Sequence, residues 1–176
     1  MNLTDNKILK MSDLLRYNGR FKIKNESIAE HSFYVSYNIL NICHKYNLPD
    51  DVKLRALEYG VIHDIPELYT NDISYITKRD NPELAKMLDK IERDFVVNEM
   101  PEIKTAFLNL QDSKGSLEHL ILKLADALSV LQFAKRDISL GNVSKDMYDI
   151  YNESKERCKS LENYLQKIAK MIKSSY

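Results

Sequence analysis

The chain has 176 residues, 44% hydrophobic and 30% charged, with 26 Lys and Arg against 26 Asp and Glu, so its formal net charge is zero. That balance gives no basic face and excludes nucleic acid as the main partner, and no apolar run reaches membrane-spanning length. With only 4 Gly and 4 Pro, the composition points to long helices in one compact domain, large enough to bury about 70% of its unfolded-chain surface.

The N-terminal residues show no signal-peptide pattern. Cys43 and Cys158 sit in apolar helical settings and read as small core hydrophobes in a reducing compartment. A cytoplasmic protein is the expectation. Thr4 or Asp5 can cap a first helix carrying Ile8, Leu9, Met11, Leu14 and Leu15, which ends where Asn18-Gly19 signals a turn. Residues 20–25 alternate basic and apolar side chains, as a short strand or an extended loop would. Arg20, Lys22 and Lys24 read as a solvated loop that could also lie near an anionic substrate.

Ser27 and Glu30 fit a capping box that starts a helix running to about residue 46, with Ile28, Val35, Ile39, Ile42 and Cys43 towards the core and His31 in its second turn. Asp50 or Asp51 caps the next helix, whose apolar positions Leu54, Leu57, Val61 and Ile62 lie at helical spacing. That helix delivers His63 and Asp64 side by side before Pro66 interrupts it. Glu67 and Asp72 follow closely. One imidazole and three carboxylates in so short a stretch are either solvated acids at a helix end or a paired or metal-bound cluster.

Asn81-Pro82 opens a further helix with Leu84, Met87, Leu88, Ile91, Phe95 and Val96 on its apolar face. Pro101 starts a shorter one, and residues 112–115 form a turn. Ser116 then caps the most apolar segment, residues 117–134, which leaves almost no polar face and must be a central buried helix. Asp126 in its middle needs a partner, either Lys123 three residues earlier or a metal or substrate. After Gly141-Asn142, a last helix over about 144–173 spaces Met147, Tyr151, Ser154, Cys158, Leu161, Leu165, Ile168 and Ile172 as a packing seam, for the core or for a dimer. His44 and His119 read as surface or cap histidines.

His31, His63, Asp64 and Asp126 together form a borderline-to-hard ligand set suited to Mn, Fe, Co, Zn or Mg, with positions left for water and substrate oxygens. Their order on a helical chain resembles the H…HD…D signature of the HD-domain metal-dependent phosphohydrolases, and within them the 5′-deoxynucleotidase group. Arg16-Tyr17 stand where that group has Arg and an aromatic residue. Ser27 to His31 resemble its Ser-x-x-Glu-His segment, His63-Asp64 and Glu67 its HDxxE element, and Lys123 to Leu128 its Lys-x-Ala-Asp-Ala-Leu segment. The resemblance covers about residues 14–141. Two departures concern the substrate side: Tyr17 replaces the usual Trp, and Asn71-Asp72 replace a Gly-Asp turn, which Asn71 can retain in a left-handed conformation.

The resemblance implies a single all-α HD domain over residues 1–176, a helical bundle with a buried metal site. His31, His63, Asp64 and Asp126 would hold one divalent ion. Glu67 would move protons, and Arg16 would clamp phosphate and take part in catalysis. Tyr17, Asp72, Lys78 and Lys123 would complete substrate binding, Tyr17 by stacking on the nucleoside and Asp72 by accepting from a sugar hydroxyl. The implied activity is metal-dependent release of phosphate from deoxyribonucleoside 5′-monophosphates, with no nucleic acid or membrane partner, and the resemblance and a spare helical seam imply a homodimer. The rival activity is a deoxynucleoside triphosphate triphosphohydrolase, and a further alternative is a non-catalytic binding protein on the same scaffold.

Overall fold

The structure, a computed structural model, describes residues 7–174, with side chains to residue 171. The expected cap at Thr4 or Asp5 and the last seam position, Ile172, lie outside the described residues or side chains. After a 3-10 turn (Lys7–Ser12), eight helices follow: α1 (Ile28–Tyr46), α2 (Asp50–Ile62), α3 (Glu67–Thr70), α4 (Tyr75–Asp80), α5 (Pro82–Glu99), α6 (Lys104–Asp112), α7 (Leu117–Ser139) and α8 (Lys145–Ser174). No strand occurs among the described residues, and none of their helices is long and apolar enough to cross a membrane. The fold is all-α.

Helix α7 is the axis, as its composition requires. It packs against α8, α1 and α2, and Leu120, Ile121, Leu122, Leu124, Ala125 and Ala127 are buried along it. Ser116 caps it by accepting from the His119 N–H. The capping box at Ser27 and Glu30 is formed and starts α1 as expected. The α8 seam is turned inwards: Met147, Ser154, Cys158 and Leu165 are buried and Leu161 and Ile168 pack on the core. It is therefore not spare, which removes the argument for a homodimer drawn from it.

Three local expectations are corrected. Among the described residues the first helix is a 3-10 turn, with Met11 buried in it. Leu15 is drawn instead into an isolated antiparallel bridge with Ser27, with Arg16 N–H donating to the Glu26 carbonyl and Ile28 N–H to that of Leu14. Residues 20–25 are accordingly a loop. Helix α2 is capped by Pro49 with no side-chain bond, and Asp50 and Asp51 sit in its first turn, where the helix dipole favours them. Finally, α2 buries Ala56, Tyr59, Gly60 and Ile62 and leaves Leu54 and Val61 70% and 54% exposed. Gly60 explains this. A Cβ there would stand 2.5 Å from Ile39 Cδ1 and 3.2 Å from Ser36 Oγ, so the close approach of α1 and α2 presents Gly60 inwards and turns the 54/61 side out.

Helix α5 packs mainly on α3, α4 and α6; Leu88 and Val96 are buried while Met87 stays open. Helix α6 begins at Lys104, with Pro101 in the preceding turn.

Candidate metal centre and substrate cavity

The fold brings His31 from α1, His63 and Asp64 from the end of α2, and Asp126 from α7 into one cluster. His31 Nε2 lies 3.4 Å from Asp64 Oδ2 and 3.4 Å from Asp126 Oδ1, and His63 Nε2 lies 3.3 Å from Asp64 Oδ2. Ligand atoms of His31, His63 and Asp64 all fall within 4.8 Å of one another. Asp126 joins through Oδ1, while its Oδ2 is 3.6 Å from Arg157 Nη2.

Both imidazoles are oriented by their other nitrogen. His63 Nδ1 is 2.9 Å from the Gly60 carbonyl, an acceptor only, so it carries the proton and Nε2 keeps a lone pair. His31 Nδ1 is 3.1 Å from Ser129 Oγ and 2.5 Å from Arg16 Nη1. Arg16 can only donate, so Nδ1 accepts from it, and Nε2 is the nitrogen turned to the cluster. The two Nε2 atoms are buried without a hydrogen-bond partner. Two buried imidazole nitrogens without a hydrogen-bond partner, both facing the Asp64 carboxylate, form an arrangement that a divalent ion would complete, so these residues fit one.

Charge in the cluster follows from burial set against neighbours. Burial first, and then the Arg16 guanidinium, lower the His31 imidazole below its ordinary range, against the pull of the adjacent carboxylates. Burial pushes Asp64 up, but the two imidazoles and Arg16 outweigh it, and the net shift is downward. For Asp126, burial is likewise overcome, by His31 first and then His63 and Arg157, and the carboxyl is held well below its usual range. Glu67 goes the other way. Burial first, then the charges of Asp64 and Asp72, push it up to about 9 against the weaker pull of Lys78 and Arg16. Its Oε2 is buried with no partner and its Oε1 lies 3.6 Å from Lys78 Nζ.

Beside the cluster opens a cavity of about 380 Å³, lined among others by Arg16, Tyr17, Asp72, Tyr75, Arg79 and Arg157. The Arg16-Tyr17 segment is held at three points. Arg16 Nη1 donates to the buried Glu26 at 3.2 Å. Tyr17, at φ +59°, donates its N–H to Asp72 Oδ2 at 3.1 Å. Its ring stacks on Phe133 with centroids 4.5 Å apart. Asn71 takes the positive φ expected of it, +61°, and so aims Asp72 at this loop. The following loop is tied down by the buried Asp137, which accepts from the N–H groups of Ile23 and Lys24.

Of the residues named from sequence, His31, His63, Asp64, Asp126, Glu67 and Lys78 meet in or beside the cluster, and Arg16, Tyr17 and Asp72 line the cavity. Lys123 does not join them: it is exposed and forms no ion pair with Asp126, whose partners are His31 and Arg157. His44 is exposed and His119 lies 3.4 Å from Ser113 Oγ. Arg20 lines the cavity. Ser129, Glu26, Tyr75 and Arg157 belong to the site and were not foreseen. Ser129 alone carried a signal, as a polar residue three positions past Asp126 inside an apolar helix.

A model of the YfbR-like 5′-deoxynucleotidase family matches residues 6–174. The chain belongs to that family. Solved structures with similar folds include a cyanophage S-2L HD phosphohydrolase, DatZ, bound to dA and one catalytic Zn²⁺ (19% identity, 95% of this chain and 96% of that one, TM-score 0.73). An HD-domain phosphohydrolase from Listeria innocua is 23% identical over 93% of this chain and 84% of its own, TM-score 0.70. A protein from Pyrococcus horikoshii is 26% identical over 95% of this chain and 96% of its own, TM-score 0.70. No curated protein matches. Its fold is shared with these HD phosphohydrolases, and its His31, His63 and Asp64 cluster is suited to a divalent ion.

Proposed function

We propose that the protein is a 5′-deoxynucleotidase, releasing phosphate from deoxyribonucleoside 5′-monophosphates. The observation that carries this reading is the adjacency of a metal-type cluster to a cavity of about 380 Å³, near the small end of the range for ligand pockets. When a divalent ion is bound, the chemistry it supplies is polarisation of a phosphoryl oxygen and acidification of a water.

The chain's own residues supply the rest. Arg16, which burial disfavours as a cation but the carboxylates of Asp64, Asp126 and Glu26 keep charged, holds two phosphoryl oxygens with its fork. Water oxygen bonds to phosphorus as the ester P–O bond breaks, and of its two protons one stays on the released phosphate while the other replaces the proton that Glu67 gives up. Glu67, protonated at neutral pH, delivers its proton to the leaving sugar oxygen, and Lys78 holds the carboxyl in place. Asp72 has its second oxygen free for a sugar hydroxyl. Phe133 covers one face of Tyr17, which meets the nucleoside with its remaining surface. Lys123 receives no role here, and the homodimer implied by the resemblance would have to form away from the α8 seam.

The triphosphohydrolase alternative needs more cationic reach. Arg20 and Arg79 line the cavity but bond Asp146 and Asp80, which favours the smaller charge of a monophosphate. A non-catalytic scaffold leaves the buried Glu67, whose Oε2 has no hydrogen-bond partner, unexplained. The test is release of phosphate and tripolyphosphate from deoxy- and ribonucleoside mono- and triphosphates with Mn, Co, Zn or Mg. Phosphate from the 5′-monophosphates is expected. Tripolyphosphate from triphosphates would establish the alternative, and inertness with every nucleotide and metal would leave a binding protein.

A further inference from the structure

Four arginines line the cavity: Arg16, Arg20, Arg79 and Arg157. Three are already bonded. Arg16 donates to Glu26 at 3.2 Å, Arg20 to Asp146 at 3.1 Å and Arg79 to Asp80 at 2.7 Å. Arg157, from the middle of α8, makes no hydrogen bond among the described residues. Its one ion pair, to Asp126 Oδ2, is 3.6 Å long, and its guanidinium carbon lies 5.6 Å from the centre of the Tyr75 ring. Its side chain is 37% exposed. A planar fork laid over an aromatic face keeps its edge donors available.

The position of this fork matters more than its charge. Asp126 points one oxygen at His31 Nε2 and the other at Arg157, so the guanidinium stands where the metal cluster opens into the cavity. A nucleotide with its nucleoside in the cavity and its phosphate at the cluster must pass its phosphoryl group through that junction. Once Asp126 shares its charge with a bound cation, it satisfies Arg157 less well, and a phosphoryl oxygen is the anion that can replace it.

We propose that Arg157 is a second phosphate-binding arginine, contributed by the C-terminal helix and acting opposite Arg16. This rests on the nucleotidase reading and deepens it. It places a substrate contact on α8, outside the segment that carries the H…HD…D residues, and gives that helix a role beyond packing on α7.

The test is equilibrium binding to the Glu67→Gln protein loaded with Mn²⁺, with Arg157 intact or changed to Gln or Lys. The probes are the four common deoxyribonucleoside 5′-monophosphates and the matching unphosphorylated nucleosides, and bound Mn²⁺ is measured alongside. Arg157→Gln should weaken the monophosphates about tenfold to a hundredfold while changing nucleoside affinity by less than about twofold. Arg157→Lys, which keeps charge without the fork, should recover only part of the loss, and it carries the test if the Gln variant fails to fold. Unchanged monophosphate binding would overturn the proposal. So would an equal loss for nucleosides, or loss of Mn²⁺, either of which would reduce Arg157 to a support for Asp126 or the cavity wall. If Arg157-intact protein binds nucleosides but no monophosphate better, the nucleotidase reading falls too, and the two failures are told apart by that control.

Discussion

The metal-facing side of the site is carried by α1, α2 and α7, and the residues flanking its ligands are among the most buried in the molecule: His31 is itself fully buried, and Ile62, Ile65, Ala125 and Ala127 enclose the others. The substrate-facing side is a loop and two outer elements. Arg16 and Tyr17 are held by side-chain bonds to Glu26 and Asp72, and Tyr75, Arg79 and Arg157 are reached across water-accessible space. Interior packing fixes the first side to fractions of an ångström, because displacing a ligand means repacking a helix. The second side depends on individual hydrogen bonds, each contributing on the order of 1 kcal/mol. On the proposed reading, the chemistry is set in the core, and the choice of substrate in contacts that can change one at a time.

The largest expected effect breaks the first side. Asp64→Ala and Asp126→Ala should each lose bound metal and lower turnover by about a thousandfold or more, while keeping the helical far-UV spectrum. Both carboxyls are held below their ordinary range in the folded protein, so each contributes stability when ionised, and the metal-free variants should be less stable than metal-free wild type near neutral pH, by an amount that shrinks as pH falls. Metal content and turnover at wild-type level in either variant would remove that residue from the ligand set.

Next is Glu67→Gln, which should lower kcat about a hundredfold or more at little change in metal content. It should also stabilise the metal-free protein. The folded carboxyl titrates near 9 against an ordinary value of 4.5. Between those values the unfolded chain ionises Glu67 while the folded protein keeps the proton, so wild-type stability falls as pH rises through this window. Gln cannot ionise. Its advantage should be absent below about pH 4.5 and grow to about 1–3 kcal/mol near pH 9, read from urea midpoints with chelator present. A pH-independent difference would mean that Lys78 keeps Glu67 ionised.

A smaller loss is expected on the substrate side. Arg16→Lys keeps the charge but not the fork, and should cost about tenfold to a hundredfold in kcat/KM on every phosphorylated substrate, whatever its base. Metal affinity should hold, since the four ligand side chains are unchanged. An innocuous Arg16→Lys would transfer phosphate recognition to other residues.

This division also governs what was legible in the sequence. His31, His63, Asp64 and Asp126 stood out because core helices have few polar residues, so each needed a reason. The fold class followed from the same periodicities. Leu54 and Val61 misled because helical spacing does not say which of two apolar faces is buried, and the contact that decides it, Gly60 against Ile39, is between helices. Arg157 was invisible for a different reason. On an amphipathic helix with many Lys and Glu, an arginine facing a cavity has the same pattern as one facing solvent. Lys123 failed in reverse: adjacency in sequence to Asp126 suggested a pairing that α7 does not make. Ligands fixed by core packing can be read from one chain, whereas contacts made across a cavity are properties of the assembled surface.

The smallest effect tests whether the two sides are independent. Asp72 bonds the Tyr17 N–H, and its charge is also among those that raise Glu67, so it touches recognition and chemistry at once. Asp72→Asn keeps an acceptor for Tyr17 but removes the charge, whereas Asp72→Ala removes both. Less negative charge near Glu67 makes its proton easier to lose, so its pKa falls in both variants. With Glu67 acting as the acid, the alkaline limb of kcat should move to lower pH in both, by an amount smaller than the upward shift that burial produces. Only Asp72→Ala releases the strained Tyr17 turn, and it alone should raise KM, by about severalfold, and reorder the nucleotides. An aryl phosphate, if wild type hydrolyses it, should show the kcat shift without the KM change. If both variants raise KM equally, or if neither moves the alkaline limb, Asp72 does not link the two sides, and proton transfer and nucleoside recognition are separable in this site.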